Sequence, residues 1–236
     1  MSSENDEDES VIKYSAHYGG ISSEAKFWED FEEFGEKQLL NSKITKVKIY
    51  LGKFKGKDAI SGIGFTHQNL FNGKEKVVEL KGSDEFIDAK ELLIKEGEYL
   101  TDFHIRFKND AEYISQLGYT TNKQNSILVG IEEGEDKTIT SNGGENIIVG
   151  SFGGVSKKLD STGVLFVNKK EYFKRILNQI DGIIILRNFV KKSQNFKEGW
   201  DKKQNELPSE YKFIWRTVNL PETPLLQILK FLFKKD

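Results

Sequence analysis

The sequence predicts an all-β domain of short strands, followed by a helical C-terminal extension. The 236-residue chain contains 21 glycines but only 3 prolines, and 12% of it is aromatic, a composition that suits strands joined by glycine turns. Apolar residues recur in short, evenly spaced runs between residues 44 and 167, which is typical of a sandwich, barrel or prism. After Val167 the apolar spacing becomes helical. The length allows one substantial core with an extension and no second large domain.

The first clear strand signal is the alternation of Val47, Ile49 and Leu51 with more polar neighbours, at the period of two of a half-buried strand. Residues 52–57 are predicted to close a hairpin, and the Asn-Gly-Gly run at residues 142–144 predicts a later turn. Similar apolar runs predict further strands over residues 60–65, 77–80, 103–107, 114–120, 127–130, 147–152 and 163–167.

An aromatic and acidic segment precedes these strands. Phe27, Trp28, Phe31 and Phe34 lie among acidic residues, and this pattern fits a strand with a turn as well as a short helix. Further upstream, residues 1–10 are acidic and polar. We expect them to be disordered in the free chain or held by a partner.

The C-terminal extension carries two helix signals. Apolar residues between Tyr172 and Ile180 follow helical spacing, and Gly182 is the expected C-terminal cap. After a Lys- and Gln-rich linker, Thr223 and Pro224 are placed to start a last helix that is apolar nearly all round. Because a domain complete by Val167 offers little groove for that helix, we expect it to bind a protein partner. Its partner-binding residues are Leu225, Leu226, Ile228, Leu229, Phe231, Leu232 and Phe233. The alternative is that it packs on the outside of its own domain together with the helix over residues 172–180.

Charge and cysteine content narrow the class of protein. The 35 basic and 37 acidic residues nearly balance, so no global field attracts nucleic acid or an anionic membrane. The chain has no cysteine, an acidic start and no long apolar run, so we expect no disulfides, no signal peptide and no membrane span. These features predict a cytoplasmic protein, and within that class a cytoskeletal or ciliary one.

Metal, cofactor and catalytic sites are not expected. His17, His67 and His104 have no ligand spacing and no cysteine to complete a zinc site. The glycines of residues 150–154 lack the Gly-Lys-Ser ending of a phosphate-binding loop. Adjacent carboxylates such as Glu132 and Glu133 point to opposite faces of a strand, whereas glycosidase chemistry needs two acids that flank one bond.

A series of short motifs resembles one known family. In chain order they are Tyr18-Gly19-Gly20, residues 44–49 (ITKVKI), residues 97–100 (GEYL), Thr121-Asn122, residues 143–153 (GGENIIVGSFG), Leu159-Asp160 and Gly163-Val164. In order and spacing they are similar to the jacalin-related lectins, including their animal zymogen-granule branch. The resemblance implies a jacalin-like β-prism I of three four-stranded Greek-key sheets over residues 17–167, with a tail at 1–16 and a helical extension at 168–236. It also implies that Gly153 and Gly163 have positive φ or are closely approached by other groups.

The resemblance further implies a sugar site at one end of the prism. In the family, an Asp accepts hydrogen bonds from two adjacent sugar hydroxyls, and backbone N–H groups of glycine-rich loops donate to the sugar. On this sequence the site would comprise a first loop at Gly19 and Gly20, a middle loop at Lys108, Asn109 and Asp110, and a last loop at Ser156, Lys157, Lys158 and Asp160.

The sequence departs from the family pattern in the first and last loops. Ser156 stands where the family has glycine, serines at 22 and 23 replace a second glycine pair, and Lys157 and Lys158 replace small or sugar-stacking residues. Asp160 also has another interpretation, in which it ends a strand and caps the turn at residues 161–162.

Two functions remain open at this point. The altered loops and charged tails favour a non-enzymatic structural or interaction subunit of a large intracellular assembly, cytoskeletal or axonemal, that binds other subunits through both tails. The alternative is a carbohydrate-binding lectin that uses the Asp160 loop. Its ligand would be a mannose-type glycan, or an anionic one because Lys157 and Lys158 are in the loop.

Overall fold

The structure, a computed structural model, describes residues 11–20, 22–82, 86–108, 113–140 and 144–192. Over these residues the chain forms three helices, α1 (Asp30–Phe34), α2 (Glu36–Leu40) and α3 (Lys169–Lys192). The strands are β1 (Lys13–Tyr14), β2 (Tyr18–Gly19), β3 (Lys26–Glu29), β4 (Ser42–Phe54), β5 (Lys57–Asn69), β6 (Glu75–Lys81), β7 (Phe86–Leu93), β8 (Leu100–Phe107), β9 (Ile114–Thr121), β10 (Ser126–Gly130), β11 (Glu135–Ile139), β12 (Asn146–Val155) and β13 (Leu159–Asn168).

Three antiparallel sheets form the body of the molecule. Their strand orders are β6-β5-β4-β7, β10-β9-β8-β11 and β1-β13-β12-β3, and β2 also pairs with β13. Each sheet is built around one hairpin, β4–β5, β8–β9 or β12–β13. Strands from elsewhere in the chain then pair with the outer edges of each hairpin. This Greek-key arrangement confirms the predicted β-prism.

One apolar core fills the space between the three sheets. Because alternate residues of a strand face the same side, Val47 and Ile49 of β4, Phe103 and Ile105 of β8 and Leu159 of β13 all point inward and are fully buried. Each such side chain stabilises the fold by roughly 1.5 to 3 kcal/mol relative to an exposed one. The alternation of apolar and polar residues that predicts β4 therefore arises because one face of the strand lies in the core and the other does not.

The N-terminal segment supplies the outer strands of the third sheet. β1 pairs with Leu165 and Phe166 of β13, and β3 pairs with residues 152–155 of β12. Ile12 is only 3% exposed. The sheet therefore starts upstream of residue 17, where the prism was expected to begin. In the aromatic segment both interpretations are realised, since β3 leads directly into α1.

Two outer strands, β7 and β11, do not follow from the sequence pattern. β11 has the sequence Glu-Asp-Lys-Thr-Ile and is mostly exposed, so it has little apolar face. It is held by backbone pairing with β8 and by side-chain contacts to that strand, such as the 2.9 Å ion pair of Asp136 with Arg106. The predicted hairpin at residues 52–57 forms, but Gly52 lies inside β4. The turn residues are Lys55 and Gly56, with φ of 51° and 79°, as expected of a two-residue turn between antiparallel strands.

Gly153 and Gly163 lie at closely approached positions, as predicted. A Cβ atom on Gly153 would lie 2.2 Å from the carbonyl oxygen of Ser161, and one on Gly163 would lie 2.4 Å from the ring of Phe152. Neither glycine has positive φ. Lack of space for a side chain, rather than backbone conformation, therefore requires glycine here.

The helix α3 begins near the predicted position and continues further than predicted. Oδ1 of Asn168 accepts hydrogen bonds from the N–H groups of Lys170 and Glu171 at 3.0 and 3.3 Å, as an N-cap does. The expectation that Gly182 ends this helix is wrong, because α3 continues to Lys192. A glycine inside a helix costs about 1 kcal/mol, which the helical residues around it can offset. No helix among the described residues is long and apolar enough to cross a bilayer.

A second apolar cluster lies outside the prism core, between the third sheet and α3. Tyr172, Ile176 and Ile180 of α3 are at most 2% exposed, and the Tyr172 hydroxyl donates to the carbonyl oxygen of Ser42 at 2.7 Å. The partners of these side chains are Ile12, Phe34, Leu39, Leu40, Leu70, Phe71, Ile147, Val149, Leu165 and Val167. The first half of α3 therefore packs on its own prism, whereas the last helix, for which little groove was expected, lies outside the described residues.

Candidate functional site

A groove opens where four segments of the chain meet at one end of the prism. Its volume is about 430 Å³, within the usual range for a small-molecule site. The segments are the loop after β2, the tip of the β4–β5 hairpin, the β12–β13 turn and the start of β13. The lining residues are Ser22, Glu24, Phe54, Lys55, Ser156, Lys157, Lys158 and Asp160.

Gly19 and Gly20 bring the first loop against Asp160. β2 pairs with residues 161–162 of β13, and the N–H of Gly20 donates to the carbonyl oxygen of Asp160 at 3.0 Å. Gly19 has a φ of +98°, and a Cβ atom on it would lie 2.4 Å from that same oxygen. Only glycine fits both conditions, so the first loop is fixed to the backbone of Asp160.

Asp160 lies inside β13 and is 2% exposed. The interpretation of Asp160 as a strand end that caps a turn is therefore wrong, because residues 161–162 continue the strand. Its Oδ1 atom is bound by Lys158, whereas Oδ2 is buried and has no hydrogen-bond partner within the described part of the chain. Buried carboxylate oxygens normally accept hydrogen bonds. Oδ2 is thus an acceptor that the described protein groups leave unused.

Lys158 bonds to the carboxylate that was predicted to bind sugar. Its Nζ lies 2.6 Å from Oδ1 of Asp160, and the residue is 7% exposed. The same Nζ lies 4.7 Å from the ring centroid of Phe54, and Nζ of Lys55 lies 5.3 Å from that centroid. Breaking this buried pair is costly, because either charge alone would be left without a partner. Lys158 is therefore an integral part of the groove.

The turn that carries the two lysines is held by backbone contacts. The N–H of Ser156 donates to the carbonyl oxygen of Lys158 at 3.0 Å. The carbonyl oxygen of Lys157 lies so close to Gly82 that a Cβ atom there would be 2.0 Å away. The last loop is thus packed against the end of β6, while Lys157 itself is exposed.

The structure brings the two first-loop glycines and the four last-loop residues together at this groove. Asn109 and Asp110 of the expected middle loop, and the partner-binding residues at 225–233, lie outside the described residues. The sequence analysis missed Phe54 and Lys55, because they belong to a hairpin of a different sheet. The signal that could have indicated them is an aromatic residue between lysines in a predicted turn.

Near this hairpin, Glu133 joins three loops. Its carboxylate accepts a hydrogen bond from the Tyr113 hydroxyl at 2.7 Å and lies 3.2 and 3.3 Å from the Nζ atoms of Lys108 and Lys57. Hydrogen bonds from Tyr113, Lys108 and Lys57 lower the pKa of Glu133 to about 2. Lys108, expected in the middle sugar-binding loop, is thus paired with an acid.

A separate set of polar side chains is buried inside the prism. Oδ2 of Asp30 accepts a hydrogen bond from the N–H of Ser151 at 2.8 Å and lies 3.6 Å from Nε2 of His67. Burial, together with the charge of Asp30, raises the pKa of Tyr119 well above its ordinary value. Asp30 and His67 are at most 1% exposed. This cluster therefore links the start of α1 to β5 and β12 and offers no surface to a ligand.

Comparisons with known proteins agree with this fold. The family model of the jacalin-like lectin domain matches residues 15–165. Among curated proteins, Jacalin-related lectin 44 from Arabidopsis thaliana is 32% identical over 85 residues, which cover 36% of this chain and 14% of that protein. The matched segment is thus a small part of that longer relative.

Solved lectin structures share the architecture. AcmJRL, a mannose-binding jacalin-related lectin from Ananas comosus, has a TM-score of 0.52 at 16% identity and covers 67% of this chain and 99% of its own. Calystegia sepium agglutinin has a TM-score of 0.52 at 20% identity, covering 66% and 97%. A Malaysian banana lectin has a TM-score of 0.52 at 21% identity, covering 67% and 99%. At these identities the likeness establishes the fold alone.

Proposed function

This chain belongs to the jacalin-like lectin domain family, and from that premise we propose that it is a non-enzymatic carbohydrate-binding module that uses the groove around Asp160. Structures with the same fold include a mannose-binding lectin and Calsepa lectin in complex with a biantennary N-glycan. The groove of this chain lies where its first and last loops meet, which is where the family resemblance puts the sugar.

The observation that carries this proposal is the state of the Asp160 carboxylate. The groove places it beside the Gly19–Gly20 loop, and its Oδ2 atom is buried and lacks a hydrogen-bond partner among the described residues. A charged oxygen in that state is unfavourable unless a donor reaches it. A sugar hydroxyl is such a donor, and it would enter from the groove.

A glycan array followed by titration calorimetry tests this function. We expect the wild-type protein to bind at least one saccharide and Asp160→Asn to abolish that binding, because a neutral amide is a weaker acceptor than a carboxylate. Asp88→Asn, which changes an exposed carboxylate on β7, is the matched control and should bind as the wild type does. Binding that survives Asp160→Asn would put the site elsewhere, and a chain that binds no saccharide would refute the proposal.

A second candidate function is that of a cytoplasmic interaction subunit in a cytoskeletal or axonemal assembly. The observation that favours it is the Lys158–Asp160 pair, which occupies one of the two oxygens that a neutral hexose needs. We accordingly expect simple neutral hexoses to bind weakly. The tails that would bind neighbouring subunits, residues 1–10 and 193–236, lie outside the described residues.

Cell fractionation tests this second candidate. The full chain and a chain cut after Phe189 are expressed with the same tag, and their shares in the detergent-insoluble cytoskeletal fraction are compared. The subunit hypothesis predicts that the full chain is retained there and that the shortened chain is released. Equal distribution of the two chains would count against it.

A further inference from the structure

The pair formed by Lys158 and Asp160 limits which saccharides the groove can accept. Nζ of Lys158 occupies Oδ1 of Asp160 at 2.6 Å, whereas a neutral sugar would use both oxygens for two adjacent hydroxyls. To free Oδ1, the sugar would have to displace an ammonium group whose residue is 7% exposed, leaving that charge without its partner. A ligand that keeps the pair intact is therefore favoured.

Phe54 supplies the aromatic ring of the groove, and the ammonium groups of two lysines lie close to it. Nζ of Lys158 and Nζ of Lys55 lie 4.7 and 5.3 Å from the centroid of Phe54, within the range of cation–π attraction. Two ammonium groups are thus gathered around one ring in the groove. Phe54 positions cations here, and it is poorly placed to stack on a neutral sugar.

Lys157 adds a further cation at the edge of the groove. It lines the groove beside the Lys158–Asp160 pair and is exposed, so its ammonium group can reach a ligand. An ammonium group has three N–H donors, and Lys158 directs one of them to Asp160. The others suit an acceptor on a ligand, and an anionic acceptor forms the stronger hydrogen bonds.

From these contacts we propose that Lys158 makes the groove selective for saccharides that carry an anionic group, a class that includes uronates and sulfated sugars. One hydroxyl of such a ligand donates to Oδ2 of Asp160. The anionic group accepts from the ammonium groups of Lys158 and Lys157. This assignment rests on the carbohydrate-binding function proposed above and specifies its ligand class.

Titration calorimetry on the full chain tests the selectivity with matched ligands. Methyl glucuronide is compared with methyl glucoside, methyl galacturonide with methyl galactoside, and methyl mannuronide with methyl mannoside, so that each pair differs only in the carboxylate at C6. For at least one pair we expect the uronide to bind roughly tenfold more tightly. High salt should reduce this preference, because it screens charges.

Substitutions at Lys158 separate its charge from its packing. Lys158→Met keeps the length of the side chain beside Phe54 but removes the charge, so the preference should shift towards the neutral sugar. Lys158→Arg should keep the preference for the uronide. Lys157→Ala removes the same charge from the exposed neighbour, and it should weaken uronide binding without strengthening binding of the neutral sugar. If Lys158→Met fails to fold, the wild-type comparison of each uronide with its neutral partner, its salt dependence and Lys157→Ala still test the selectivity, because none of them disturbs the buried pair.

The outcomes distinguish this inference from the function on which it rests. If the wild-type chain binds the uronide and its neutral partner equally in every pair that binds, the selectivity is overturned and the lectin function is left standing. Failure of both members of all three pairs to bind, together with an empty glycan array, would overturn the function as well. Binding of sodium acetate as tightly as a uronide would show a bare anion site and would also overturn the proposal.

Discussion

At the residue scale, the groove depends on two opposite charges and on glycines with no space for a side chain. Lys158 precedes β13, and Asp160 is the second residue of that strand. The β12–β13 turn directs the Lys158 side chain back along the start of β13, where its ammonium group meets the Asp160 carboxylate. Gly19 lets the first loop approach Asp160, and Gly153 and Gly163 keep the third sheet closely packed.

The first prediction concerns Gly153. A Cβ atom there would lie 2.2 Å from a backbone oxygen of β13 and 2.6 Å from the ring of Trp28, so Gly153→Ala should destabilise the fold by about 1 to 3 kcal/mol. The adjacent Gly154→Ala is the control, because its nearest contacts are 3.2 Å away and include the exposed ring of Phe27. Urea unfolding measures both variants. An equal loss of stability in the two would contradict the packing argument.

The second prediction concerns the pH dependence created by Glu133. Its pKa is lowered from 4.5 to about 2 in the folded protein, so its ionised form stabilises the fold above about pH 4.5, and this contribution is lost as the pH falls towards 2. As the pH falls from about 4.5 to about 2, Glu133→Gln should therefore lose less of its free energy of unfolding than the wild type does. Thermal unfolding across this pH range measures the difference. Glu132→Gln, which changes an exposed neighbour, should lose stability at low pH as the wild type does. If Glu133→Gln showed the same pH dependence as the wild type, the assignment would be refuted.

At the scale of elements, strands and helices differ in what holds them in place. The central strands β4 and β5 bury apolar side chains in the prism core, whereas the outer strand β11 is held through backbone pairing. The helix α3 is anchored by one apolar face, by the hydrogen bond from Tyr172 to Ser42, and by the hydrogen bond of 2.9 Å from Gln179 to Asn41. It is thus part of the folded unit.

The third prediction tests the anchoring of α3. Ile176 is fully buried against the third sheet, so Ile176→Ala should cost about 2 to 5 kcal/mol. Lys174→Ala, at an exposed position of the same helix, should change stability by no more than about 0.5 kcal/mol. Chemical denaturation followed by circular dichroism compares the two. Similar stabilities would show that α3 does not pack on the prism.

At the scale of the whole molecule, two apolar clusters share the third sheet. Ile148, Leu159 and Val164 face the prism core, while Ile147 and Val167 face α3. The same strands carry both clusters. Loss of packing in one cluster should therefore also destabilise the other. We therefore expect the prism and the first half of α3 to unfold together.

The fourth prediction concerns truncation. A chain cut after Phe189 keeps Tyr172, Ile176 and Ile180 and should melt at the temperature of the full chain. A chain cut after Val167 exposes the outer apolar face of the third sheet, so it should melt at a lower temperature or aggregate. Scanning calorimetry with an apolar dye measures both effects. Equal melting temperatures for all three chains would mean that the second cluster contributes nothing to stability.

Much of the fold could be predicted from the sequence, because strand periodicity and glycine turns are local properties. The alternation at Val47, Ile49 and Leu51 and the motifs around Gly19 and Asp160 predicted a β-prism. β11 escaped prediction because it is mostly exposed and shows no apolar face. β7 escaped prediction because Leu92 is buried in the core while Ile87 and Leu93 are exposed, so its apolar residues do not alternate. The continuation of α3 past Gly182 escaped prediction because the low helix propensity of one glycine was outweighed by the helix propensity of the residues around it.

The sequence by itself indicated an all-β domain and carried motifs that resemble the family, and the resemblance implied the three-sheet architecture and the place of Asp160, since the motifs are residue types at fixed spacings. Only the tertiary structure decided what surrounds Asp160. It brought Phe54 and Lys55 from another sheet to the groove, and it turned Lys158 onto the carboxylate. It likewise decided that α3 packs on the prism. The physical reason is that contacts between residues far apart in the chain depend on how three separate sheets close around one core, and no local pattern records that closure.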